Sequence, residues 1–216
     1  AKRLVNYCTH DGTSFSDLEV DYKERQSPLY FIKYGPLTLA TTRPETKFGD
    51  TGVAVHPKDK RYKKYIGKTI EIETVLGKAA IKVVGDELVD PDFGTGVIKV
   101  TPAHDFDDFE IGQRHGLEMK QVIGFDGRLN KAAGKFAHMT VADARQAVVE
   151  EMKKKGLVEK IDTDYKHRIG LCYKCDSVIE PLPLEQWFIK IEPLAKKAIT
   201  AVKTGKIKIF PKSFEK

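Results

Sequence analysis

The sequence predicts an α+β domain that is mainly β, with its strands arranged as a barrel or a sandwich. Most of the first half consists of short runs rich in β-branched residues, separated by Gly, Pro and Asp. Helical patterns follow, and no internal repeat or Gly/Ser linker divides the chain. At 216 residues the chain is long enough to bury a core without disulfides.

The predicted strands alternate with turn-forming residues at regular intervals, which is typical of a compact β domain. Five runs carry the pattern most clearly: residues 37–42, 53–55, 69–73, 80–84 and 96–101.

Two helices follow these strands. The first is predicted from about Asp105 to His115, with acidic residues in its first turn and Gly116 as its stop. The second begins after Thr140 as N-cap and ends before Gly156. Its apolar face, which we expect to lie in the core, comprises Val141, Ala144, Val148 and Met152.

The formal net charge of +6 resides entirely in one segment. Residues 190–216 contain eight Lys and two Glu, whereas the rest of the chain has 29 basic and 29 acidic side chains. A basic helix predicted over 193–204 can meet RNA phosphates or form a solvated face, and charge alone does not decide between them.

Several function classes lose their usual sequence signals. No window approaches the roughly 18 apolar residues of a membrane span, and no apolar stretch follows the first charges, so neither membrane insertion nor secretion is predicted. The P-loop, Gly-x-Ser-x-Gly, His-Glu-x-x-His and EF-hand patterns are missing, and Lys99 replaces the third Gly of a dinucleotide fingerprint. These absences disfavour P-loop and dinucleotide binding, serine acyl transfer and the commonest metalloprotease chemistry.

The cysteines suggest half of a metal site. Cys172 and Cys175 have the Cys-x-x-Cys spacing with which two thiolates on a tight turn can hold one tetrahedral zinc ion. Cys8 with His10 or Asp11 can complete the set, whereas a metal-free ribbon is the alternative. Because three cysteines leave one unpaired, we expect a reducing compartment, the cytoplasm.

Residues 41–46 form the first polar segment of interest. Their sequence is Thr-Thr-Arg-Pro-Glu-Thr, in which Pro44 ends a strand and the turn presents hydroxyls and a guanidinium. An ordinary strand-to-turn transition has the same composition, so this segment alone does not define a site.

Residues 99–108 form the second polar segment, where a strand end leads into a helix. Strand alternation places Lys99 and Thr101 on one face. Asp105 and Asp108 are three residues apart, so as a pair they can hold an ammonium and a hydroxyl. The simpler interpretation is that acidic residues in a first turn stabilise the helix dipole.

Together these segments resemble the editing domain of valyl-tRNA synthetase. The resemblance extends over nearly the whole chain and is strongest in residues 41–46, 49–57, 90–96 and 99–108, which read TTRPET, GDTGVAVHP, DPDFGTG and KVTPAHDFDD. Leucyl editing domains resemble the chain in the first motif but differ after Gly49. Isoleucyl editing domains have a Trp-containing first motif and lack the His-Asp of the last.

The resemblance implies a distorted β-barrel with flanking helices on a ribbon-like stem. It implies an editing body over residues 26–162 and a stem over 1–25 plus 163–190, which contains the possible zinc site. A basic helix and tail over 191–216 would lead toward a catalytic Rossmann domain. The activity implied is hydrolysis of threonine mischarged onto valine tRNA, at the 3′-terminal aminoacyl-adenosine, with no cofactor required. The signatures for amino-acid activation are missing, so no aminoacylation is expected.

The family roles carry over position by position. Arg43 and Lys99 are expected at the terminal adenosine, its phosphate or the ester carbonyl, and one of the two aspartates binds the α-ammonium while the other binds the threonine hydroxyl. The implied catalytic residues are Thr46, Lys99, Asp105 and Asp108, and the implied substrate-binding residues are Thr42, Arg43, Phe93, Thr101 and His104.

Two points qualify these roles. His104 is the nearest candidate for a general base, and a structural histidine at a helix start is the main alternative. Lys47 and Phe48 stand where valyl editing domains usually have Met and Leu, a change at the edge of the implied pocket.

Two other functions fit the same sequence. A non-catalytic tRNA-binding or zinc-ribbon module would use the Lys-rich end and the cysteines. An isoleucyl-type or leucyl-type editing domain would differ only in the amino acid that it removes.

Overall fold

A computed structural model describes residues 2–214. Contacts within the chain divide it into two compact units, Leu4–Leu184 and the described part of Ala1–Arg3 with Glu185–Lys216. The larger unit contains both the implied editing body and most of the implied stem, and the three-part organisation stays a prediction.

The fold is mainly β, as the sequence predicts, and contains twelve described strands. Their bounds are β1 Lys2–Cys8, β2 Thr13–Phe15, β3 Val20–Gln26, β4 Leu29–Tyr34, β5 Leu37–Thr41, β6 Gly52–Val55, β7 Thr69–Thr74, β8 Gly77–Gly85, β9 Val97–Val100, β10 Val158–Asp162, β11 Lys166–Cys172 and β12 Glu180–Glu185. All five runs singled out in the sequence are strands.

Three α-helices are described: α1 Phe106–His115, α2 Val141–Lys154 and α3 Glu192–Lys203. The described 3₁₀ segments are Asp17–Glu19, Pro44–Gly49, Lys63–Tyr65, Lys131–Phe136 and Lys212–Phe214. Helix α1 begins at the N-cap Asp105 and ends at Gly116, whose φ of 62° is the left-handed conformation that glycine adopts readily. Thr140 caps α2 by accepting the Asp143 N–H at 3.2 Å. Both predicted helix boundaries are therefore confirmed.

The strands form separate sheets. Their orders are β12-β1-β2, β10-β4-β5, β11-β3 and β7-β8-β6-β9. Among the strand pairs with a described register, pairing is antiparallel except between β6 and β8, which are parallel. Within residues 2–214 these sheets do not close into a barrel, and the mainly β α+β class is confirmed.

The main core lies between the sheets containing β4–β5 and β6–β9 and is covered by α2. It includes Ile32, Leu39, Val53 and Met152, each at most 1% exposed. The predicted apolar face of α2 is buried at Ala144, Val148 and Met152 and half-buried at Val141.

Strands of this core lead into both polar segments, residues 41–46 and 99–108. Strand β5 leads directly into the 3₁₀ segment Pro44–Gly49, while β9 leads through residues 101–105 into α1. Strand β6 follows the first segment and pairs with β9, so the pairing of Gly52 with Val100 brings the two segments together.

No described helix is long and apolar enough to cross a membrane.

Leu39 tests the importance of this core. It is completely buried, so Leu39→Ala should lower the free energy of unfolding by about 2 to 5 kcal/mol through lost burial and a residual cavity. Urea denaturation measures the change. Leu18→Ala is the matched control because Leu18 is 98% exposed, and we expect an effect within about 0.5 kcal/mol. Equal effects of the two substitutions would contradict this description of the core.

Candidate active site

The connection from β9 to α1 positions two aspartates in different environments. Asp105 is exposed, and its Oδ1 accepts the N–H groups of Asp107 and Asp108 at 3.0 and 3.1 Å, so it caps the helix. Asp108 is 6% exposed, and its Oδ2 accepts the Thr101 N–H at 2.8 Å. Of the two aspartates, one is therefore an exposed helix cap and the other a buried carboxyl.

A chain of polar side chains lies beside Asp108. Lys99 Nζ donates to Thr101 Oγ1 at 2.5 Å, and Thr101 Oγ1 donates to Asp50 Oδ1 at 2.6 Å. The Tyr34 hydroxyl donates to the other Asp50 oxygen, and Lys99 Nζ lies 3.6 Å from Asp50 Oδ1. The predicted common face of Lys99 and Thr101 is confirmed, because the two side chains are in direct contact.

Asp50 and Tyr34 were not assigned roles from the sequence. Asp50 belongs to the motif at 49–57, so the resemblance contained a signal for it. Tyr34 lies at the end of the largely apolar strand β4, and no local pattern distinguishes its hydroxyl from that of any other core tyrosine. Its role depends on Asp50, sixteen residues later in the chain.

Burial controls the protonation of both carboxyls. It raises the pKa of Asp108 to about 8, with Lys99 acting in the opposite direction and the nearby Asp105 adding to the rise. Burial also raises the pKa of Asp50, which Lys99 and the Thr101 hydroxyl counteract. The charge of Lys99 therefore lowers the pKa of two buried carboxyls, Asp50 and Asp108. A cation bound at Asp108 would lower the pKa of that carboxyl further.

The first polar segment centres on a buried group of charges. Arg43 donates to Glu180 at 2.5 Å, to Glu45 at 3.3 Å and to the His104 carbonyl oxygen at 3.3 Å. Arg145 of α2 donates to both oxygens of Glu45 at 2.8 Å. In this conformation Arg43 joins neighbouring elements, and its contact with a substrate stays a prediction.

The neighbouring threonines differ in burial. Thr46 is 1% exposed, and its hydroxyl donates to the Arg43 carbonyl oxygen at 3.0 Å within the 3₁₀ turn. Thr42 is half-buried. Phe93, an implied substrate-binding residue, is 39% exposed in the loop before β9, with its ring 6.0 Å from that of Tyr165. Their implied roles toward a substrate stay predictions.

His104 has a structural role in this conformation. It is 2% exposed, and its Nε2 accepts the Val122 N–H at 2.8 Å, so Nδ1 carries the proton and faces the Pro181 carbonyl oxygen at 3.3 Å. Burial, together with the charge of Arg43, lowers the pKa of His104 to about 3. With both nitrogens engaged, the neutral ring favours the structural interpretation, and a catalytic role stays a prediction.

A second cluster joins the predicted cysteines. One ligand atom from each of Cys8, Asp11, Cys172 and Cys175 lies within 4.8 Å of the others. The Cys8 and Cys175 sulfurs are 3.5 Å apart, and Cys172 Sγ lies 3.3 Å from Asp11 Oδ2. Three thiols and one carboxylate match the ligand types and the number of a tetrahedral zinc site. The structure thus favours Asp11 over His10 for the fourth position.

His10 lies outside this ligand set. Its Nδ1 is 3.2 Å from the second oxygen of Asp11, so it contacts the carboxylate from the far side. Such an outer partner orients a ligand rather than replacing it.

Comparison with known proteins identifies the class. A family model described as "tRNA synthetases class I (I, L, M and V)" matches residues 1–216, and the chain belongs to this family.

Three individual relatives are all synthetases for valine. The chain is 49% identical over 222 residues to a valine–tRNA ligase of Petrotoga mobilis and 48% identical over 221 residues to one of Fervidobacterium nodosum. A valine–tRNA ligase of Thermotoga maritima is 47% identical over 221 residues. Each alignment covers the whole chain but only 25% of the relative, so the chain spans about a quarter of their length.

Protonation of Asp108 should be visible in folding stability. Its carboxyl keeps a proton up to pH about 8 in the folded state but loses it near pH 4 in the unfolded state. The folded state therefore binds more protons between these values, and stability falls as the pH rises through this range. Relative to Asp108→Asn, the wild-type free energy of unfolding should decrease by on the order of 1 kcal/mol per pH unit.

Urea denaturation of both proteins at several pH values measures this difference. The exposed Asp21→Asn is the control, and its pH dependence should follow that of the wild type. A constant difference between wild type and Asp108→Asn across the range would show that Asp108 is ionised in the folded protein.

Proposed function

We propose that this domain hydrolyses threonine mischarged onto valine tRNA, acting as the editing domain of a valyl-tRNA synthetase. The observation that carries this proposal is the buried polar group of Asp108, Thr101, Lys99 and Asp50 beside the N-terminus of α1. The similarity to valine–tRNA ligases supports the choice of tRNA.

The need for a second site follows from the shapes of the two amino acids. Threonine and valine are nearly isosteric, and a hydrophobic pocket built for valine is known to reject the extra hydroxyl of threonine by only about 100-fold. A polar site reverses the preference, because buried hydrogen-bonding groups favour the ligand that pairs with them. The chain of Lys99, Thr101 and Asp50 supplies donors and acceptors for a threonine hydroxyl.

Asp108 is the better candidate for the α-ammonium. Its carboxyl is buried, and among the ion pairs described for residues 2–214 none involves it. The ammonium of an aminoacyl ester would supply the missing positive charge and ionise the carboxyl. Asp105 is exposed and already caps α1 through Oδ1, so we assign it to the hydroxyl side or to the helix cap.

Hydrolysis then requires an oriented water molecule. We propose that Lys99 stabilises the negative charge that develops on the ester carbonyl oxygen. His104 has both nitrogens engaged, so we propose that the ribose hydroxyl of the substrate, rather than this histidine, assists the water. The chemistry therefore depends mainly on positioning and electrostatics.

The smaller unit fits a role in attachment. Its described residues include exposed apolar side chains, with Trp187 at 99%, Ile189 at 77% and Phe210 at 79%, alongside exposed lysines. We propose that it packs against the catalytic Rossmann domain of the complete enzyme. A cytoplasmic location stays a prediction.

We also propose that Cys8, Asp11, Cys172 and Cys175 hold a structural zinc ion. The ion would join the turn after β1 to the turn after β11, and no step of the hydrolysis involves it. A zinc ion at this site is compatible with the proposed hydrolysis. It would support a non-catalytic binding module only if the deacylation experiment below shows no release of threonine.

Deacylation with Asp108→Ala tests the main proposal. The chain should release threonine, but not valine, from valine tRNA, and the substitution should slow threonine release by about 100-fold or more because it removes the ammonium partner. Scintillation counting of precipitated aminoacyl-tRNA measures both rates.

Asp107→Ala is the matched control, since Asp107 is the adjacent exposed aspartate of the same helix turn. It should retain threonine release to within a few-fold. Equal loss in the two variants, or release of valine at the same rate as threonine, would refute the proposal. Loss of function on neutralising Lys196, Lys197, Lys203 and Lys206 alone would instead favour a tRNA-binding module.

Zinc content tests the cysteine cluster. The chain should bind one zinc ion, and Asp11→Ala should weaken binding by about tenfold or more because one of four ligands is lost. Inductively coupled plasma spectrometry after dialysis against a chelator series measures retention. Asp21→Ala, an exposed aspartate of β3, should retain zinc like the wild type. Zinc-free protein, or equal retention in both variants, would exclude Asp11 as a ligand.

A further inference from the structure

Lys47 carries a buried ammonium without a hydrogen-bond partner. The residue is 7% exposed, and Nζ is covered by protein and makes no described hydrogen bond. The face of the Tyr34 ring lies 5.3 Å from Nζ, which compensates in part for lost hydration. A buried charged group normally has a hydrogen-bonded partner, so an orphaned ammonium points to a missing ligand.

A cavity of about 220 Å³ adjoins this side chain. Lys47, Tyr34, Asp50, Thr74, Lys78 and Lys120 supply its polar lining. Lys78 and Lys120 are exposed residues at its rim. Three lysines and one aspartate give the lining an excess of positive charge.

The carboxylates around Lys47 are already engaged elsewhere. Asp50 accepts hydrogen bonds from Tyr34 and Thr101, and Glu73 lies 3.1 Å from Lys155. Burial lowers the pKa of Lys47 to about 8, Lys155 adds to the decrease, and Asp50 and Glu73 oppose it. Neither carboxylate therefore serves as a dedicated partner of Lys47.

We propose that this cavity binds a small free oxyanion, such as inorganic phosphate, through Lys47. Lys78 and Lys120 attract the anion at the rim, and the flexible Lys47 stem turns Nζ toward it. A water molecule takes about 30 Å³ of liquid volume, so the cavity accommodates a tetrahedral oxyanion with a few waters. Lys78 is shared with Glu71 at 2.8 Å, which leaves Lys47 as the principal ligand.

This inference is independent of the proposed deacylase activity. Its readout is anion binding rather than catalysis, so failure of this inference and failure of the deacylase proposal are distinguishable. Asp50 and Tyr34 belong both to the lining of this cavity and to the polar group beside Asp108.

Titration with sulfate tests the proposal, since the charge of sulfate is constant in the neutral and alkaline range. Wild-type protein should show saturable binding by calorimetry and a rise in melting temperature with sulfate. Lys47→Met keeps most of the length of the side chain without its charge and should weaken binding by about tenfold or more. Lys33→Met, at an exposed lysine of β4, is the control and should bind like the wild type. Equal binding by Lys47→Met would overturn the proposal.

The pH dependence of the wild type provides a second test that needs no variant. As the pH rises above about 8, Lys47 loses its proton, and sulfate affinity should fall by up to about tenfold per pH unit. Binding that is unchanged to higher pH would overturn the role of Lys47. Absence of saturable binding would also overturn the proposal.

Inorganic phosphate and adenosine 5′-monophosphate distinguish a free anion from a nucleotide phosphate. The cavity volume favours phosphate alone, so the nucleotide should compete poorly with sulfate. Tighter binding of the nucleotide would contradict a site for a free anion.

Discussion

The buried carboxylate of Asp50 is the group on which the arrangement of the candidate site depends. Its two oxygens join Tyr34 at the end of β4 to Thr101 after β9, and Lys99 lies near the same carboxylate. Because its side chain is only 3% exposed, water cannot replace any of these partners easily. The rotamers of Lys99 and Thr101 are therefore set by a residue outside both polar segments.

Environment, rather than residue type, separates the two aspartates of the second segment. Asp105 is exposed and satisfied by backbone N–H groups, whereas Asp108 is buried and has a pKa of about 8. The same first turn of α1 produces both environments. Asp105 caps the helix, whereas Asp108, three residues later, lies on the buried side of that turn. A pair of carboxyls three residues apart can thus provide one helix cap and one proton-holding group, instead of two equivalent ligands.

Local patterns predicted the elements well, and long-range contacts limited the prediction of the site. The caps Asp105 and Thr140, and the shared face of Lys99 and Thr101, depend on neighbours within a few residues and are confirmed. The assignment of the strands to separate sheets within residues 2–214 depends on pairing between distant strands, which the spacing of the runs does not specify. The salt bridge from Arg43 spans 137 residues, so no local signal could reveal it.

That long-range salt bridge explains how the first segment keeps its conformation. Arg43 and Arg145 share Glu45, and Arg43 also pairs with Glu180 of β12, so the segment is attached to α2 and to a distant strand. Removing one member would leave buried charges unpaired, at a cost of about 3 to 5 kcal/mol, although such a network adds little net stability compared with apolar packing. Its contribution is therefore better understood as conformational specificity: Arg43 donates to the His104 carbonyl oxygen, and so it holds the two polar segments in register.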